Sequence, residues 1–315
     1  MSNAAYVKLL CADIQRLRAQ HPTHYLFALL DPHRPLDAEH PLHLDSLRQQ
    51  EPKLEIQTVL RPDLKYLPAL CPHLLELAKP NDTSPIAEEL LSLLAAQAVE
   101  EAGHLDGAYV CGVLVSTQPA LATAQHLAQA MVVRLSADAP EQVLALFEPL
   151  RLESLSCTMP QDWLDAWLGP IVAWRYLNAA GKLRALNRLR PSVTPASAWV
   201  LSTEAGRAQH RIPQLADLLQ AWRENEELPQ DAAQRADAQL EAAAQHGLTA
   251  GEDLLFFALT GLTLPAQWAT HPATKAAIQR AVQAECTLAE TFDKLDARTL
   301  NEIMRPNFNP AARTL

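Results

Sequence analysis

Residues 109–133, YVCGVLVSTQPALATAQHLAQAMVV, carry the strongest indication of fold class in this chain. The run YVCGVLVST is rich in β-branched residues and is bounded by Gly107 and Pro119, which predicts a strand. The residues that follow Pro119 have the composition of a helix, and Ser116 is interpreted as the N-cap of that helix. A strand followed directly by a helix indicates an α/β layer in which at least part of the sheet is covered.

The N-terminal third of the chain also mixes helix and strand patterns. Apolar residues at three-and-four spacing predict an amphipathic helix over residues 4–20. The continuous apolar run YLFALLD, residues 25–31, predicts a buried strand, and the alternation in LEIQTVLR, residues 54–61, predicts another. A helix is expected to begin with Ser84 as its N-cap and to run to about residue 102. A further strand-like run ends in VLALFEPLRLESL, residues 143–155.

The pattern changes after RPSVTPAS, residues 190–197, a Pro- and Ser-bearing stretch typical of a join between domains. From Ile212 onward the segments are rich in Ala, Leu and Glu and mainly helical in periodicity. The sequence therefore predicts an α/β (α+β) N-terminal lobe, residues 1–190, with a mixed sheet flanked by helices, and a mainly helical C-terminal lobe, residues 191–315. The last residues, 305–315, are expected to lie loose or to pack as a strap.

Composition narrows the classes of partner. Of the 315 residues 49 % are hydrophobic, which is ample for a core, and the formal net charge is -10. An acidic protein is not attracted to phosphate backbones or anionic lipid surfaces, so we expect neither nucleic acid nor membrane as a partner. No apolar run is long enough to cross a bilayer, and the N-terminus lacks the apolar core of a signal peptide, so we expect a cytoplasmic protein.

The region from Asp162 to Pro191 contains a cluster of cations on this otherwise acidic chain. No acidic residue interrupts it between Arg175 and Arg190. The cluster forms either a cationic strip for an acidic protein partner or the solvated face of a hairpin. Its members are Arg175, Lys182, Arg184, Arg188 and Arg190.

The residue patterns of common enzymes are missing from the sequence. It contains no G-x-G-x-x-G, no phosphate-binding G-x-x-x-x-G-K-[ST], no G-x-S-x-G and no H-E-x-x-H. One segment, residues 31–45, combines potential metal ligands, and it supports the alternative of a metal-dependent hydrolase. Three prolines interrupt it, so the competing interpretation is an acidic, solvated loop. The potential ligands are Asp31, His33, Asp37, Glu39, His40, His43 and Asp45.

The order of motifs resembles the effector adaptor, or chaperone, family of the bacterial type VI secretion system. The resemblance covers about residues 25–185 and is carried by YLFALLDP, LPALCPHLLEL, GVLVSTQPALATAQHLAQAM, LALFEP and WLGPIVAWRYLNAAGKL. Many members have an arginine and aromatic residues leading into Asp-Pro, where this chain has Ala145 to Pro149, and Glu148 keeps the carboxylate. The motif residues are Asp31, Ser116, Phe147, Glu148, Pro149, Gly169 and Pro170.

The resemblance implies a cytoplasmic protein without enzymatic activity or cofactor. Such a protein binds a specific toxic effector and helps to load it on the spike protein, VgrG, of the secretion apparatus. Partner binding requires an exposed apolar patch or groove, and aromatic residues are frequent anchors in such surfaces. The candidate anchors are Trp163, Trp167, Trp174 and Tyr176, whose alternative role is core packing between the lobes. Arg184 and Arg188 are the candidate basic contacts.

Overall fold

The computed structural model describes residues 3–191, 198–249, 251–265 and 267–305. By its internal contacts the chain divides into two compact units, residues 1–210 and 211–315. The predicted join at residues 190–197 and the predicted strap at residues 305–315 lie almost wholly outside the described residues.

The first unit mixes helices with strands. Its helices are α1 (Asn3–Gln20), α2 (Leu44–Gln50), α3 (Glu88–Glu101), α4 (Ala120–Ala130), α5 (Pro149–Thr158), α6 (Gln161–Leu168) and α7 (Thr203–His210). Its strands are β1 (Tyr25–Leu30), β2 (Ile56–Thr58), β3 (His73–Ala78), β4 (Val110–Ser116), β5 (Val132–Arg134), β6 (Gln142–Val143), β7 (Ile171–Leu177), β8 (Leu183–Asn187) and β9 (Trp199–Val200).

Six of these strands form one sheet in the order β2-β3-β1-β4-β7-β8, with every neighbouring pair antiparallel. A small second sheet is mixed, since β5 pairs antiparallel with β6 and parallel with β9. The predicted fold class, a sheet flanked by helices, is confirmed, and the parallel pairing lies in the smaller sheet.

The two middle strands, β1 and β4, carry no charged residue because both faces of the large sheet are covered there. Phe27 and Leu29 of β1 point into one core, with residues of α4, α5 and α6. Leu26, Ala28 and Leu30 point into the opposite core, with residues of α1 and α3. Because side chains alternate along a strand, β1 contributes residues to both apolar cores. This explains why YLFALL has no polar face.

The predicted strands and helices agree with this arrangement in most places. The runs at residues 25–31, 54–61 and 109–117 contain β1, β2 and β4, and α1 matches the helix predicted over residues 4–20. The helix after Pro119 ends at Ala130, and Val132 already belongs to β5.

Three local predictions are wrong. The interpretation of residues 143–155 as the end of a strand-like run fails because Pro149, which suits a first helical turn, begins α5. Ser84 is not an N-cap: α3 begins at Glu88, and the Ser84 N–H donates to Asp82 instead. Ser116 is not the N-cap of α4 either, since Pro119 occupies that position.

The second unit consists of helices in its described residues, and its core includes Phe257, Trp268 and Leu288. Arg211 ion-pairs with Asp237 at 2.8 Å and with Glu241, which joins the start of α8 to α9. The helices are α8 (Ile212–Arg223), α9 (Ala232–Gln245), α10 (Gly251–Thr263), α11 (Pro272–Val282), α12 (Leu288–Asp293) and α13 (Ala297–Met304). Among all the described residues of both units, no helix has the length and apolar character needed to cross a bilayer.

Gly112 fixes the close approach of β4 to β7, and its replacement should destabilise the first unit. Its φ of 140° is unfavourable for any side chain. An added Cβ would also meet the Arg175 carbonyl oxygen and lie 2.7 Å from Trp174 Nε1. We expect Gly112→Ala to lower the free energy of unfolding by about 3 kcal/mol, measured by urea denaturation.

Gly251→Ala is the matched control, because no atom lies within 4 Å of a Cβ added at Gly251. This change should alter the free energy of unfolding by no more than about 1 kcal/mol. Equal effects of the two substitutions would contradict the packing described for Gly112.

Candidate functional site

Two carboxyl groups that are far apart in the sequence, those of Asp31 and Glu148, come close together in the first unit. Asp31 follows β1 and is 2 % exposed, while Glu148 is the residue immediately before α5. Burial raises the pKa of both carboxyl groups. The charge of Asp31 raises the pKa of Glu148 further, against the lowering effect of Arg151. The two motif carboxylates therefore belong to one electrostatic cluster.

Backbone hydrogen bonds hold Asp31 at the junction of two strands. The Asp31 N–H donates to the Tyr109 carbonyl oxygen at 2.7 Å, and the Asp31 carboxylate accepts from the His33 N–H at 3.0 Å. The second bond favours the ionised carboxylate and so opposes the effect of burial on its pKa. The same residue thus turns the chain after β1 and places a buried carboxyl group there.

Arg61 supplies a cation to this cluster. Its side chain is 12 % exposed and forms a bidentate ion pair with Asp63, with distances of 3.1 and 2.7 Å. The positive charge of Arg61 lowers the pKa of Asp31 and of Glu148. Burial acts to lower the pKa of Arg61. The pair with Asp63 and the charges of Asp31 and Glu148 outweigh this effect and keep the pKa of Arg61 above its ordinary value.

Arg151 supplies a second cation, one helical turn after Glu148. Its Nε donates to Glu148 at 3.1 Å, and its Nη1 lies 3.4 Å from the Gln209 backbone carbonyl oxygen. The Gln209 side chain donates back to the Arg151 carbonyl oxygen at 3.0 Å. The cations near the Glu-Pro pair therefore come from Arg61 and Arg151, whereas Ala145 stands in the segment where many adaptors have an arginine.

Arg61 also belongs to the connection between β2 and β3, which exposes apolar side chains. We call residues 60–70 the apolar loop. Tyr66 is 83 % exposed, Leu67 56 % and Leu60 53 %. Lys65 lies over the Tyr66 ring, 4.9 Å from its centroid, a distance that favours a cation–π contact.

The base of the apolar loop is closed by hydrogen bonds. The Val59 N–H donates to the Pro72 carbonyl oxygen at 2.7 Å, and the buried Cys71 thiol donates to the Leu64 carbonyl oxygen at 3.6 Å. Within the loop, the Leu67 N–H donates to the Leu64 carbonyl oxygen at 2.8 Å. The loop is therefore an ordered surface whose inner side, at Arg61, is held by the charge cluster.

The predicted aromatic anchors lie mainly in the core of the first unit. Trp167, Trp174 and Tyr176 are buried, and the Trp167 ring stacks on Trp174 with centroids 6.1 Å apart. Trp163 is half-buried, stacks on Trp167, and donates from its indole N–H to the Val200 carbonyl oxygen. Trp167, Trp174 and Tyr176 offer no surface to a partner in this structure.

Phe147, Ser116 and Gly169 also have structural positions. Phe147 is buried in the same core. The Ser116 hydroxyl lies 2.8 Å from the Thr123 hydroxyl and accepts from the Gln118 N–H, which ties the end of β4 to α4. Gly169 ends α6 with a φ of 53°, where a Cβ would meet the His126 ring.

Arg184 and Arg188 lie on and just beyond β8, in the hairpin that β8 forms with β7. Arg184 is half-buried, and its charge lowers the pKa of the buried Glu153. The Arg188 guanidinium donates to the Gly169 carbonyl oxygen, and the Pro170 carbonyl oxygen accepts from the Thr117 N–H at 3.0 Å. Both side chains are thus half-buried on the β7–β8 hairpin.

Two of the three histidines in residues 31–45 accept hydrogen bonds from nearby backbone N–H groups. His40 Nδ1 accepts from the Leu42 N–H, and His43 Nδ1 accepts from the Asp45 N–H at the start of α2. No group of three His, Cys, Asp or Glu side chains in the described residues is arranged to hold a metal ion. The ligand set on which the hydrolase alternative depends is therefore not assembled.

The sequence pattern did not predict the exposed surface of the apolar loop. Its segment, LRPDLKYLPAL, contains two prolines and has neither helical nor strand periodicity. One signal in the sequence is that a tyrosine and two leucines lie between Pro62 and Pro68. No helix or strand is predicted there that would bury these side chains. A second signal is the opposite charge of Arg61 and Asp63, two residues apart, which form an ion pair in the structure.

The raised pKa of Asp31 predicts how stability depends on pH. In the unfolded chain this carboxyl group ionises at its ordinary pKa, whereas in the folded protein it ionises at higher pH. Between the two values the folded state binds more protons, so the Asp31 contribution to the free energy of unfolding falls as pH rises. Asp31→Asn keeps an acceptor for the His33 N–H but cannot ionise. We expect its stability relative to the natural protein to increase from pH 4 to pH 7.

Urea denaturation at several pH values measures this difference, which amounts to about 1.4 kcal/mol for each unit by which the pKa is raised. Asp45→Asn is the control, because the Asp45 side chain is 80 % exposed. The account of Asp31 fails if both variants give the same pH dependence.

The charge cluster and the apolar loop are the features of the first unit that combine buried charge with exposed apolar surface. Compared with models of protein families, with curated proteins and with solved structures, this chain finds no match.

Proposed function

We propose that this protein is a non-enzymatic, cytoplasmic adaptor of a type VI secretion system. It binds a toxic effector, helps to load it on the VgrG spike protein, and contacts one of these partners through the apolar loop. The observation that supports the proposal is that Arg61 joins the charge cluster to a loop that exposes Leu60, Tyr66 and Leu67.

The exposed apolar side chains are large enough to contribute to specific binding. Burying one such side chain stabilises a complex by about 1.5–3 kcal/mol, whereas micromolar affinity corresponds to about 8 kcal/mol in total. Tyrosine is also among the residues most frequent in binding hot spots. Tyr66, Leu67 and Leu60 together thus supply a substantial part of such an interface.

The loop is prepared for binding by restraints within the chain. Pro62 and Pro68 restrict the backbone, and the bidentate pair of Arg61 with Asp63 fixes one end. A surface that is ordered before association loses less conformational entropy when it binds. This favours recognition of a partner by a preformed patch.

The cluster itself has the properties of a support. The Asp31 carboxylate is buried and accepts a backbone hydrogen bond, and Glu148 is paired with Arg151. Removing one member would leave a buried charge without its partner, which is costly. Such groups stabilise the loop and the adjoining strand ends, and this role requires no substrate.

The apolar loop is tested with the double variant Tyr66→Ser, Leu67→Ser. The protein is produced together with the effector and the VgrG protein encoded beside it, and the affinity of each purified pair is measured by calorimetry. We expect the double variant to lose at least tenfold in affinity for one of the two partners, because buried apolar area is removed from the interface. The free energy of unfolding should change by less than about 1 kcal/mol.

Leu121→Ser is the matched control, because Leu121 is 57 % exposed and lies outside the loop, on α4. It should leave both affinities unchanged. If the natural protein binds neither partner, the proposed function is wrong. If it binds them and the double variant binds as well, the adaptor role stands and the role of the loop is wrong.

Arg61→Met should loosen the loop, since the buried carboxylates lose a cation and Asp63 loses its partner. We expect faster hydrogen exchange in residues 60–70 and a loss of about 2 kcal/mol in the free energy of unfolding. Arg48→Met is the control, because Arg48 forms an exposed pair with Asp45, and exposed pairs contribute little. Unchanged exchange in residues 60–70 of Arg61→Met would contradict the proposed support.

A further inference from the structure

We infer that the open edge of β8 binds an extended, acidic segment of a partner protein as an additional strand. This surface is distinct from the apolar loop, and the inference does not depend on the identity of the partners. In the described residues no strand pairs with the outer side of β8, where the six-stranded sheet ends.

The hydrogen-bond pattern of the hairpin fixes which backbone groups face outward. The Arg188 N–H donates to the Val172 carbonyl oxygen and the Asn178 N–H to the Lys182 carbonyl oxygen. Because hydrogen-bonded pairs alternate along an antiparallel ladder, residues 184 and 186 also bond to β7. The N–H and C=O groups of Leu183, Ala185 and Asn187 therefore point away from the sheet.

The outward row includes groups that can pair with a short strand. The Asn187 carbonyl oxygen already accepts from the Gln161 side chain at 3.3 Å, and the Leu183 N–H lies near the Tyr6 hydroxyl. The Ala185 N–H and C=O lie at the centre of the row, on an exposed residue. An added strand gains its affinity from such main-chain bonds and its specificity from side chains.

Charge determines which strand fits this edge. Lys182, Arg184, Arg188 and Arg190 lie on β8 or within three residues of its ends. The acidic groups near them come from other elements: Glu153 interacts with Arg184 and Asp165 with Arg190. Arg190 pairs with Asp162 at 3.3 Å, but both side chains are largely exposed, so the pair contributes little. Cations at a sheet edge oppose unspecific edge-to-edge pairing. They repel basic strands and attract an acidic segment.

A peptide is favoured over a nucleic acid as the occupant. The formal net charge of the chain is -10, which opposes the approach of a long polyanion. An open strand edge offers main-chain donors and acceptors, which match the backbone of a polypeptide. Both observations select an extended acidic segment of a protein.

The position of β8 suits a protein that holds two partners. β8 and β2 are the two edges of the same sheet, and the apolar loop follows β2. Five strand spacings of about 4.8 Å separate these edges by roughly 24 Å. The edge of β8 and the apolar loop can therefore be occupied at the same time.

The probe is a fluorescently labelled peptide, Glu-Val-Glu-Thr-Glu-Val-Glu, compared with the same peptide carrying Lys in place of Glu. Fluorescence anisotropy with the full chain should give binding of the acidic peptide at least tenfold tighter than of the basic one. Hydrogen exchange in residues 183–187 should slow when the acidic peptide is bound. Equal binding of the two peptides, or no binding of the acidic one, overturns the inference.

Ala185→Pro removes the central outward N–H and should weaken binding of the acidic peptide at least tenfold. Ala185→Val keeps that N–H and is its control. Lys182→Glu, at an exposed position just before β8, should lessen the preference for the acidic peptide at least threefold, and this variant keeps the test decisive if Ala185→Pro does not fold. If folded Ala185→Pro binds like Ala185→Val, the strand edge is not the site; if Lys182→Glu leaves the preference unchanged, charge does not select the occupant.

Discussion

The Asp31 carboxylate is buried where β1 ends, and the surrounding residues compensate its charge. Burial acts against its ionisation, while the His33 N–H that donates to it and the charge of Arg61 lower its pKa. Because an uncompensated buried charge is expensive, Arg61 is held on the inner side of the connection between β2 and β3. Glu148, which begins the turn into α5, is fixed by the same balance of charges.

The exposed surfaces follow from this arrangement. The apolar loop keeps its shape because its first cation is engaged below it, so Tyr66 and Leu67 are presented to solvent from an ordered backbone. At the other edge of the sheet, β8 presents outward backbone groups among cations. The antiparallel sheet thus has two unlike surfaces at its opposite edges, and the proposed adaptor function would use them for two different proteins.

The sequence predicts the parts of this fold that rest on local patterns. The runs at β1 and β4 are apolar throughout and are readily identified, and so are the helices of the second unit. β3 was not predicted as a strand, because His73 and Glu76 interrupt its apolar pattern although both are buried. The approach of Asp31 to Glu148 depends on strand order and on the start of α5, neither of which is encoded locally. Likewise, periodicity does not tell that Trp167 and Trp174 fill the core while Tyr66 faces solvent.

The most direct test of this account is a double-mutant cycle between Asp31→Asn and Arg61→Met, with the free energy of unfolding measured at pH 7. If the arginine compensates the buried carboxylate, its loss is less damaging once Asp31 is neutral, and the two changes should be coupled by about 1 kcal/mol or more. Additive effects, within about 0.5 kcal/mol, would mean that Arg61 does not support Asp31 and would contradict the account.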